Sequence, residues 1–455
     1  MTTNILLAKP DVRYPVKVQG YGGDVGIPLG LLYLASYTRQ NNGAEISVKD
    51  YRLDRALGRP RNLESDFNGF DVVATGACTV EVPDALNILK QAKRMGKTTV
   101  IGGIYPTFNI ERVLNTGYVD YVVRGEGEIG FSGLVNALEG KVSIDQVNGI
   151  SYKRDDKIIT NPNQKLVEDL DTLPMPAYDL IPVRTYAEFS SAPIYSTRGC
   201  PMSCKFCTLN EMWRFKQRKR SYGNIISELE MLKSFGFRKV HFKDESVTID
   251  SNWARGLFSE IEKSNLGLRY KAKSRVDKIE DGLVKQMVRA GLDTIHTGVE
   301  SISENTQRLM KKGIKEETVR KAFDTVLNNG CKINPVYMFS YVGETEEDLT
   351  TNAEFIEEMG QRKGVITYVS FITPHPGSGI DKEEGLEILT PDLSRYTHKI
   401  PVAVPKSLGE NGLRMMVDYY HRIAESTGMQ EHNPRIDPHY LERLGMKGGL
   451  EIVTA

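Results

Sequence analysis

Short apolar runs alternate with amphipathic stretches along the first third of the chain. Apolar positions at helical spacing over residues 28–40 and 82–95 predict helices, and shorter helices are expected at 110–115 and 131–138. The apolar runs between them predict strands at Asn4–Ala8, Glu45–Tyr51, Asp71–Ala77, Thr98–Gly102 and Val119–Arg124. Strands that alternate with helices over such short connections imply a parallel sheet covered on both faces. We therefore predict a doubly wound, Rossmann-like α/β domain over residues 1–140.

Residues 141–190 break this alternation and predict a connector. A charged triplet, Arg154-Asp155-Asp156, separates two short apolar runs and indicates a hairpin turn. Three prolines follow between residues 174 and 182. Because proline fixes φ and removes a backbone donor, we expect an extended, stiff linker in this stretch.

Strand–helix alternation resumes at Ile194, with six strands and five helices between them. The predicted strands are Ile194–Thr197, Lys239–Phe242, Arg269–Lys273, Thr294–Gly298, Ile333–Tyr341 and Tyr368–Thr373. Each crossover is long enough for one helix, as parallel neighbours require. The pattern predicts an open (β/α)6 barrel over residues 191–375. A small α-rich C-terminal segment, 376–455, with a helix near 412–424, is expected to close the open side of the barrel.

The composition is that of an ordinary globular protein. A chain of 455 residues is too long for one core and predicts two or three domains. Lys plus Arg equals Asp plus Glu at 59 each, which argues against nucleic acid as a partner. The chain has no apolar run of the ~18 residues typical of a transmembrane helix, so no membrane span is predicted. Free, clustered cysteines fit a reducing compartment, and we expect the cytoplasm.

Three of the five cysteines, Cys200, Cys204 and Cys207, lie within eight positions. An odd, crowded set of thiols does not pair off as disulfides, whereas thiolates are soft ligands for zinc, Cu(I) or iron–sulfur clusters. A closed zinc site normally takes four ligands, and Cys78 and Cys331 stand alone in the sequence. Three ligands instead leave one iron of a [4Fe–4S] cube open for an exchangeable partner. The structural alternative is three buried cysteines in an apolar turn.

The C-x3-C-x2-C spacing, with the aromatic Phe206 before the last cysteine, resembles the motif of the radical S-adenosylmethionine (SAM) enzymes. The resemblance implies that Cys200, Cys204 and Cys207 are the catalytic, metal-binding residues of a [4Fe–4S] cluster. It implies that SAM chelates the open iron and that the fold is a partial (β/α)6 barrel. It also implies an external electron donor, such as flavodoxin or ferredoxin.

Polar residues recur just after the barrel strands, where the active site of a barrel lies. In the resembled family such positions bind SAM, which implies cofactor-binding roles for Phe206, Glu245, Arg275 and Glu300. The planar guanidinium of Arg275 suits the carboxylate of the methionine part. Glu300 suits the amino group or the ribose.

Other polar residues of the barrel have structural interpretations. Thr345 and Asp348 have the spacing of a helix capping box, which weakens a catalytic role for that loop. His375 ends the last strand between two prolines and is as much a turn residue as a proton carrier. His296 lies within a strand and is expected in the core.

Small and polar residues also collect at the carboxyl ends of the N-terminal strands, where open α/β sheets bind ligands. These residues are Thr75, Gly76, Gly102, Gly103, Gly125 and Glu126. No G-x-G-x-x-G follows the first strand, which argues against a dinucleotide. The segments 28–34, 102–107 and 124–128 resemble the cobalamin-binding domain that precedes many radical SAM enzymes. The resemblance implies that the six residues contact cobalamin; the alternative is a domain that has lost its cofactor.

All seven histidines lie at residue 241 or later, so the N-terminal domain offers no histidine as the lower axial ligand of cobalt. A weakly held lower face favours cycling through Co(I), a strong nucleophile for methyl groups. The leading hypothesis is therefore cobalamin-dependent radical C-methylation of a small metabolite or natural-product intermediate. The enzymatic alternative is radical dehydration, cyclisation, oxidation or decarboxylation without methyl transfer. A non-catalytic iron–sulfur or zinc module is the alternative of another class.

Overall fold

The computed structural model describes residues 3–12, 25–409 and 411–429 and contains two α/β units. The strands of the first unit are β1 Asn4–Lys9, β2 Glu45–Asp50, β3 Val72–Gly76, β4 Thr98–Gly102, β5 Tyr121–Val123, β6 Ile150–Arg154 and β7 Lys157–Thr160. Its helices are α1 Leu29–Asn42, α2 Tyr51–Ala56, α3 Leu63–Asp66, α4 Val82–Arg94, α5 Ile104–Phe108, α6 Ile110–Leu114 and α7 Gly127–Leu138. Within the described residues these strands form one seven-stranded sheet, in the order β2-β1-β3-β4-β5-β6-β7.

The first five strands of this sheet are parallel, as the alternation with helices predicts. Ile5 and Leu7 of β1 pack on one face, whereas Leu6 and Ala8 pack on the other. Successive side chains of a strand point to opposite faces. A strand that is apolar on both faces must therefore be covered on both, and the doubly wound fold is confirmed. The predicted hairpin, β6 and β7, extends the sheet as its antiparallel edge.

The proline-rich connector is folded rather than extended, so the expectation of a stiff, extended linker is wrong. Leu170, Leu173 and Tyr178 are buried in the core of the second unit. The backbone amide of Ala177 donates to the carbonyl of Leu32 in α1, at 3.2 Å. The prolines limit φ, but the apolar residues between them decide the packing, and the connector contacts both units.

A helix, α8 Val183–Phe189, leads from the connector into the second unit. The strands that follow are β8 Ala192–Ile194, β9 Thr197–Arg198, β10 Arg218–Lys219, β11 Lys239–Phe242, β12 Arg269–Arg275, β13 Leu292–Glu300, β14 Lys332–Phe339 and β15 Tyr368–Phe371. The helices between them are α9 Leu209–Trp213, α10 Tyr222–Ser234, α11 Ser251–Ser264, α12 Asp281–Arg289, α13 Glu304–Leu309, α14 Glu316–Asn328 and α15 Glu346–Gly360. Six of these strands form the parallel sheet β8-β11-β12-β13-β14-β15 of the described chain, which confirms the partial barrel.

The first barrel strand is shorter than predicted. Strand β8 ends at Ile194, and Thr197 belongs to β9, which pairs with β10 in a separate antiparallel ribbon. The predicted run Ile194–Thr197 is therefore split at Tyr195 and Ser196. The chain turns there because the buried carboxylate of Asp244 binds the Ser196 and Thr197 hydroxyls, each at 2.7 Å.

The C-terminal segment contains a short ribbon, β16 Leu386–Ile388 and β17 Ala403–Pro405, and the predicted helix, α16 Gly412–Thr427. Met416 and Tyr420 of α16 are buried in the core of the barrel unit, so these side chains pack the helix onto the barrel. The rest of the predicted segment, 430–455, lies outside the described residues. Among the residues that the structure describes, no helix is both long and apolar enough to cross a membrane.

The turn between β4 and α5 requires glycine at position 103. Gly103 has φ +100°, and a Cβ there would lie 2.9 Å from the backbone nitrogen and the carbonyl oxygen of Ala77. The Ala77 amide itself donates to the Gly102 carbonyl at 2.9 Å, so neither strand end moves away freely.

We expect Gly103→Ala to lower the free energy of unfolding by about 1–3 kcal/mol, because it adds a backbone clash to a left-handed conformation. Urea-induced unfolding of the cofactor-free protein, followed by circular dichroism, measures the loss. Gly223→Ala is the matched control, since a Cβ at that position of α10 meets nothing within 4 Å. Equal unfolding midpoints for the two variants would contradict the assignment.

Candidate functional site

The three clustered cysteines lie on the loop between β9 and α9. Cys200, Cys204 and Cys207 are free thiols, and all three are half-buried. The Cys207 amide donates to the Cys204 carbonyl at 3.1 Å, and the Asn210 side chain donates to the same carbonyl at 2.9 Å. The loop starts at Gly199, where φ is +97° and a Cβ would lie 1.9 Å from the carbonyl oxygen of Lys216. Only glycine permits this close crossing just before Cys200.

Two acidic residues after β11 fix the chain that enters this loop. The fully buried Asp244 accepts hydrogen bonds from Ser196 and Thr197. Glu245 accepts one from the Gly199 amide, at 3.0 Å. Burial raises the pKa of both carboxyl groups. Asp244 therefore has a structural role, and Glu245 touches the cysteine loop directly.

The structure places Arg275 beside the cysteine loop, which itself carries Phe206. Arg275 Nη1 lies 3.5 Å from the Sγ of Cys204, and its Nε donates to Asp277 at 2.9 Å. The Phe206 ring packs edge-to-face on Tyr341, with centroids 6.5 Å apart. The SAM-binding roles of these residues remain predictions.

Glu300, the last residue of β13, pairs with a lysine that the sequence analysis missed. Lys312 Nζ lies 2.8 Å from Glu300 Oε1, 2.9 Å from the Gly298 carbonyl and 5.8 Å from the centroid of Phe206. Glu300 itself has φ +66°, which is rare for a non-glycine residue, at a register shift of the strand. Backbone strain of this kind persists where the surroundings hold it. In the sequence, Lys312 stands in a Lys-Lys-Gly run that gives no such signal.

The carboxyl ends of the N-terminal strands form one wall of a cavity of about 510 Å³. Five of the predicted residues line that wall: Thr75, Gly76, Gly102, Gly103 and Gly125. The barrel supplies the opposite wall, with Tyr195, Arg198 and Glu245. The hydroxyl of Thr75 is buried and has no hydrogen-bond partner among the described residues. A glycine wall and an unpaired buried hydroxyl fit a large ligand with polar substituents, such as cobalamin. Among the residues that the structure describes, no histidine lines this cavity.

Glu126 also lines the cavity, but its carboxylate is already bound by the protein. It accepts hydrogen bonds from Arg198 at 3.0 Å, from Arg218 at 2.8 Å and from the Val167 amide at 2.8 Å. Arg198 also pairs with Glu128, at 2.7 Å. Burial acts to raise the pKa of Glu128, but the charge and hydrogen bond of Arg198, a backbone hydrogen bond and the Arg218 charge together lower it. These four side chains, the Arg198 network, join the two units, so Glu126 has a structural role that its sequence position did not indicate.

The two candidate histidines differ in their surroundings. His296 is buried, stacks on His241 with centroids 5.1 Å apart and lies 3.0 Å from the side-chain oxygen of Asn334. Burial lowers its pKa to about 4, and the core interpretation is confirmed. His375 Nδ1 lies 2.9 Å from the Thr79 hydroxyl of the first unit, and burial lowers its pKa to about 3. His375 is therefore neutral near pH 7 and lies at the junction of the two units.

Family models match both units of this fold. Residues 194–356 match the radical SAM superfamily, and residues 19–135 match the B12 binding domain. The chain thus contains a radical SAM domain and a B12-binding domain. Among residues 3–12, 25–409 and 411–429, no three His, Cys, Asp or Glu side chains are grouped tightly enough to hold a single metal ion.

The chain is 29% identical to an uncharacterized methyltransferase, PH0819, of Pyrococcus horikoshii, over 88% of this chain and 87% of that one. It is 26% identical to the anaerobic magnesium-protoporphyrin IX monomethyl ester cyclase of Rubrivivax gelatinosus, over 86% and 73%. Its fold is similar to that of the radical SAM methyltransferase TsrM from Kitasatospora setae, with a TM-score of 0.76, 15% identity and coverage of 98% and 96%. It is also similar to the cobalamin-dependent enzyme OxsB, with a TM-score of 0.68 and 18% identity, over 84% of this chain but only 55% of that one. At such identities the structures establish the fold.

We expect Glu126→Gln to destabilise the cofactor-free protein by about 3 kcal/mol, because the substitution leaves two buried guanidinium groups short of a counterion. Urea-induced unfolding measures the change. Glu188→Gln, at an exposed position of α8, is the control and should leave the midpoint unchanged. If the Glu126 carboxylate served only to bind the cofactor, the substitution would not change the free energy of unfolding in the absence of cobalamin. Wild-type stability of Glu126→Gln would therefore refute the structural role.

Proposed function

We propose that this protein is a cobalamin-dependent radical SAM methyltransferase that acts on a small organic metabolite. One observation carries the proposal: the glycine-lined cavity of the B12-binding domain is closed on its other side by barrel residues next to the cysteine loop. Glu245 lines this cavity and binds the Gly199 amide, one residue before Cys200. A methyl donor held by the first domain therefore lies beside the residues that would generate the radical.

The barrel residues have distinct proposed roles in binding the iron–sulfur cluster and SAM. Cys200, Cys204 and Cys207 would hold the cluster, and Arg275, beside Cys204, would bind the carboxylate of SAM. The Glu300–Lys312 pair keeps a charged acceptor at the end of β13, within reach of an amino group or a ribose hydroxyl. When bound, the cluster would supply the single electron that cleaves SAM, and the resulting 5′-deoxyadenosyl group would take hydrogen from the substrate.

The first domain would hold cobalamin through its backbone and a few polar groups. Gly76, Gly102 and Gly103 let the backbone approach the ligand, and the unpaired hydroxyl of Thr75 is free to donate to it. The described residues that line this wall include no histidine, so the wall would hold cobalamin without an imidazole of its own. When bound, cobalamin would supply the methyl group, and one electron from the external reductant together with a second SAM would restore it.

An external reductant such as flavodoxin or ferredoxin is part of the proposal. The cysteine loop reaches the surface, since Pro201, Ser203 and Lys205 are exposed between the half-buried thiols. A protein donor can therefore approach the cluster side of the barrel from outside. Free clustered thiols are stable in a reducing compartment, and we propose the cytoplasm as the site of action.

A radical reaction without methyl transfer is the second candidate. It is favoured by the 26% identity with the magnesium-protoporphyrin IX monomethyl ester cyclase, which extends over 86% of this chain. The domain order is shared by both candidates, so the fate of the methyl group separates them.

The products of SAM discriminate between these functions. With reductant, we expect the anaerobically reconstituted enzyme to form 5′-deoxyadenosine. We expect it to form S-adenosylhomocysteine as well only when cobalamin is also present. Mass spectrometry with methyl-deuterated SAM and a metabolite extract then detects a product that carries the labelled methyl group. Cys200→Ala should abolish 5′-deoxyadenosine, whereas Cys331→Ala, at a lone buried thiol, should retain it.

Each other outcome assigns a different function. 5′-Deoxyadenosine without S-adenosylhomocysteine or labelled product would support the second candidate and contradict methyl transfer. Formation of neither compound by a protein that retains its cluster would indicate a non-catalytic iron–sulfur module.

A further inference from the structure

A second cavity, of about 340 Å³, lies at the junction of the two domains and the C-terminal segment. Cys78 and Ile104 line both this cavity and the glycine-lined one. Thr208, which directly follows Cys207, lines it from the barrel side. The second cavity therefore borders the proposed sites of both cofactors, as a substrate that meets both would require.

Two buried donors in this cavity lack hydrogen-bond partners. The side chain of Lys399 is only 8% exposed, and its Nζ has no hydrogen-bond partner in the described part of the chain; it lies 5.7 Å from the centroid of the Tyr368 ring. Tyr105 is 2% exposed, and its hydroxyl is likewise unpaired within residues 3–12, 25–409 and 411–429. A buried donor without an acceptor is costly, and a buried ammonium especially so. Two such groups in one cavity indicate acceptors that the ligand brings.

The remaining lining carries no negative charge. No Asp or Glu lines this cavity in the described chain, and its two histidines are His375 and His398. Burial lowers the pKa of His375 to about 3, and burial also lowers the pKa of His398, although Glu300 opposes that shift. Both imidazoles are thus neutral near pH 7. Burial likewise lowers the pKa of Lys399, to about 7, so an anion beside it would favour its charged form.

Comparison with Lys312 shows what a structural lysine looks like in this protein. Lys312 is buried, but Glu300 and the Gly298 carbonyl accept its hydrogen bonds at 2.8 and 2.9 Å. Lys399 is also buried, but its Nζ has no hydrogen-bond acceptor among the described residues. A lysine needed only for packing gains nothing from an ammonium group, since its charge has to be desolvated.

We infer that this second cavity is the substrate site and that the substrate is a small organic anion whose carboxylate or phosphate is bound by Lys399, with Tyr105 as a further donor. The inference rests on the proposed function, since it names the substrate class of the same reaction. Val80, Ile104 and Tyr396 offer apolar surface to the carbon skeleton of the substrate. Lys399 and Tyr105 come from different domains, so the substrate would bind only where the domains meet.

Isothermal titration of the reconstituted full-length protein tests the inference without turnover. Saturating SAM without reductant occupies the proposed carboxylate site at Arg275. Three probes are compared: phenylacetate, phenyl phosphate and the neutral phenylacetamide. We expect at least one anion to bind at least tenfold more tightly than the amide, and the better anion tells a carboxylate substrate from a phosphate one.

Variants assign the binding to this cavity. Lys399→Met should weaken the preferred anion at least tenfold, Lys399→Arg should retain binding within a few-fold, and Tyr105→Phe should weaken it several-fold. Lys406→Met removes an exposed lysine of the same segment and should change nothing. The visible absorbance of the cluster shows whether each variant is folded.

Three results would overturn the inference: binding of neither anion at millimolar concentration, an affinity of both anions no higher than that of the amide, or wild-type affinity in Lys399→Met. If Lys399→Met does not fold, the comparison of the three probes on the wild-type protein and on Lys399→Arg and Tyr105→Phe decides. If the anion does not bind in this cavity, the enzyme can still form the products of methyl transfer. If methyl transfer is not observed, anion binding can still be measured, so the two proposals can be refuted independently.

Discussion

The Arg198 network holds the carboxyl ends of two parallel sheets against each other, and the site depends on that contact. Each sheet exposes its glycines and polar side chains at this edge, and neither edge encloses a ligand alone. Arg198 reaches both Glu126 and Glu128 of the first domain, and Arg218 adds a second bond to Glu126. Buried ion pairs contribute little net stability, because desolvation offsets the attraction. Their directional bonds fix the arrangement in which the glycine-lined cavity faces the cysteine loop.

A second set of buried acids acts within the barrel. Asp244 turns the chain after β8, and Glu245 holds the Gly199 amide, so the path into the cysteine loop is set before the first thiol. Lys312 then fixes Glu300 at the end of β13. Three thiols on a loop are flexible ligands by themselves. Anchoring the loop at its entrance limits the positions that the thiols adopt and prepares them for a cluster, which is the kind of support that precise sites need.

The sequence predicts the strands well because buried parallel strands are continuous apolar runs. Strand β4 has the predicted bounds, and β11 does as well. The cysteine motif and the glycines at the strand ends were also found, since their residue types depend on local chemistry. The Glu126–Arg198 pair was missed because its members are 72 residues apart and look like ordinary surface charges. The prediction of an extended connector was wrong for a related reason. Prolines restrict only the local φ angle, whereas the burial of Tyr178 depends on both domains.

Lys399 marks the limit of pattern-based prediction more sharply than the other missed residues. Its role depends on what is absent around it, and a missing acceptor has no signature in a linear sequence. Cofactor binding uses groups whose chemistry is demanding enough to leave a motif, such as thiolates at fixed spacing. A substrate site at a domain junction uses one side chain from each of several loops, so its residues share no spacing along the chain. The proposed cluster ligands are therefore readable from the sequence, whereas the proposed substrate-binding residues emerge only when the two domains and the C-terminal segment are assembled.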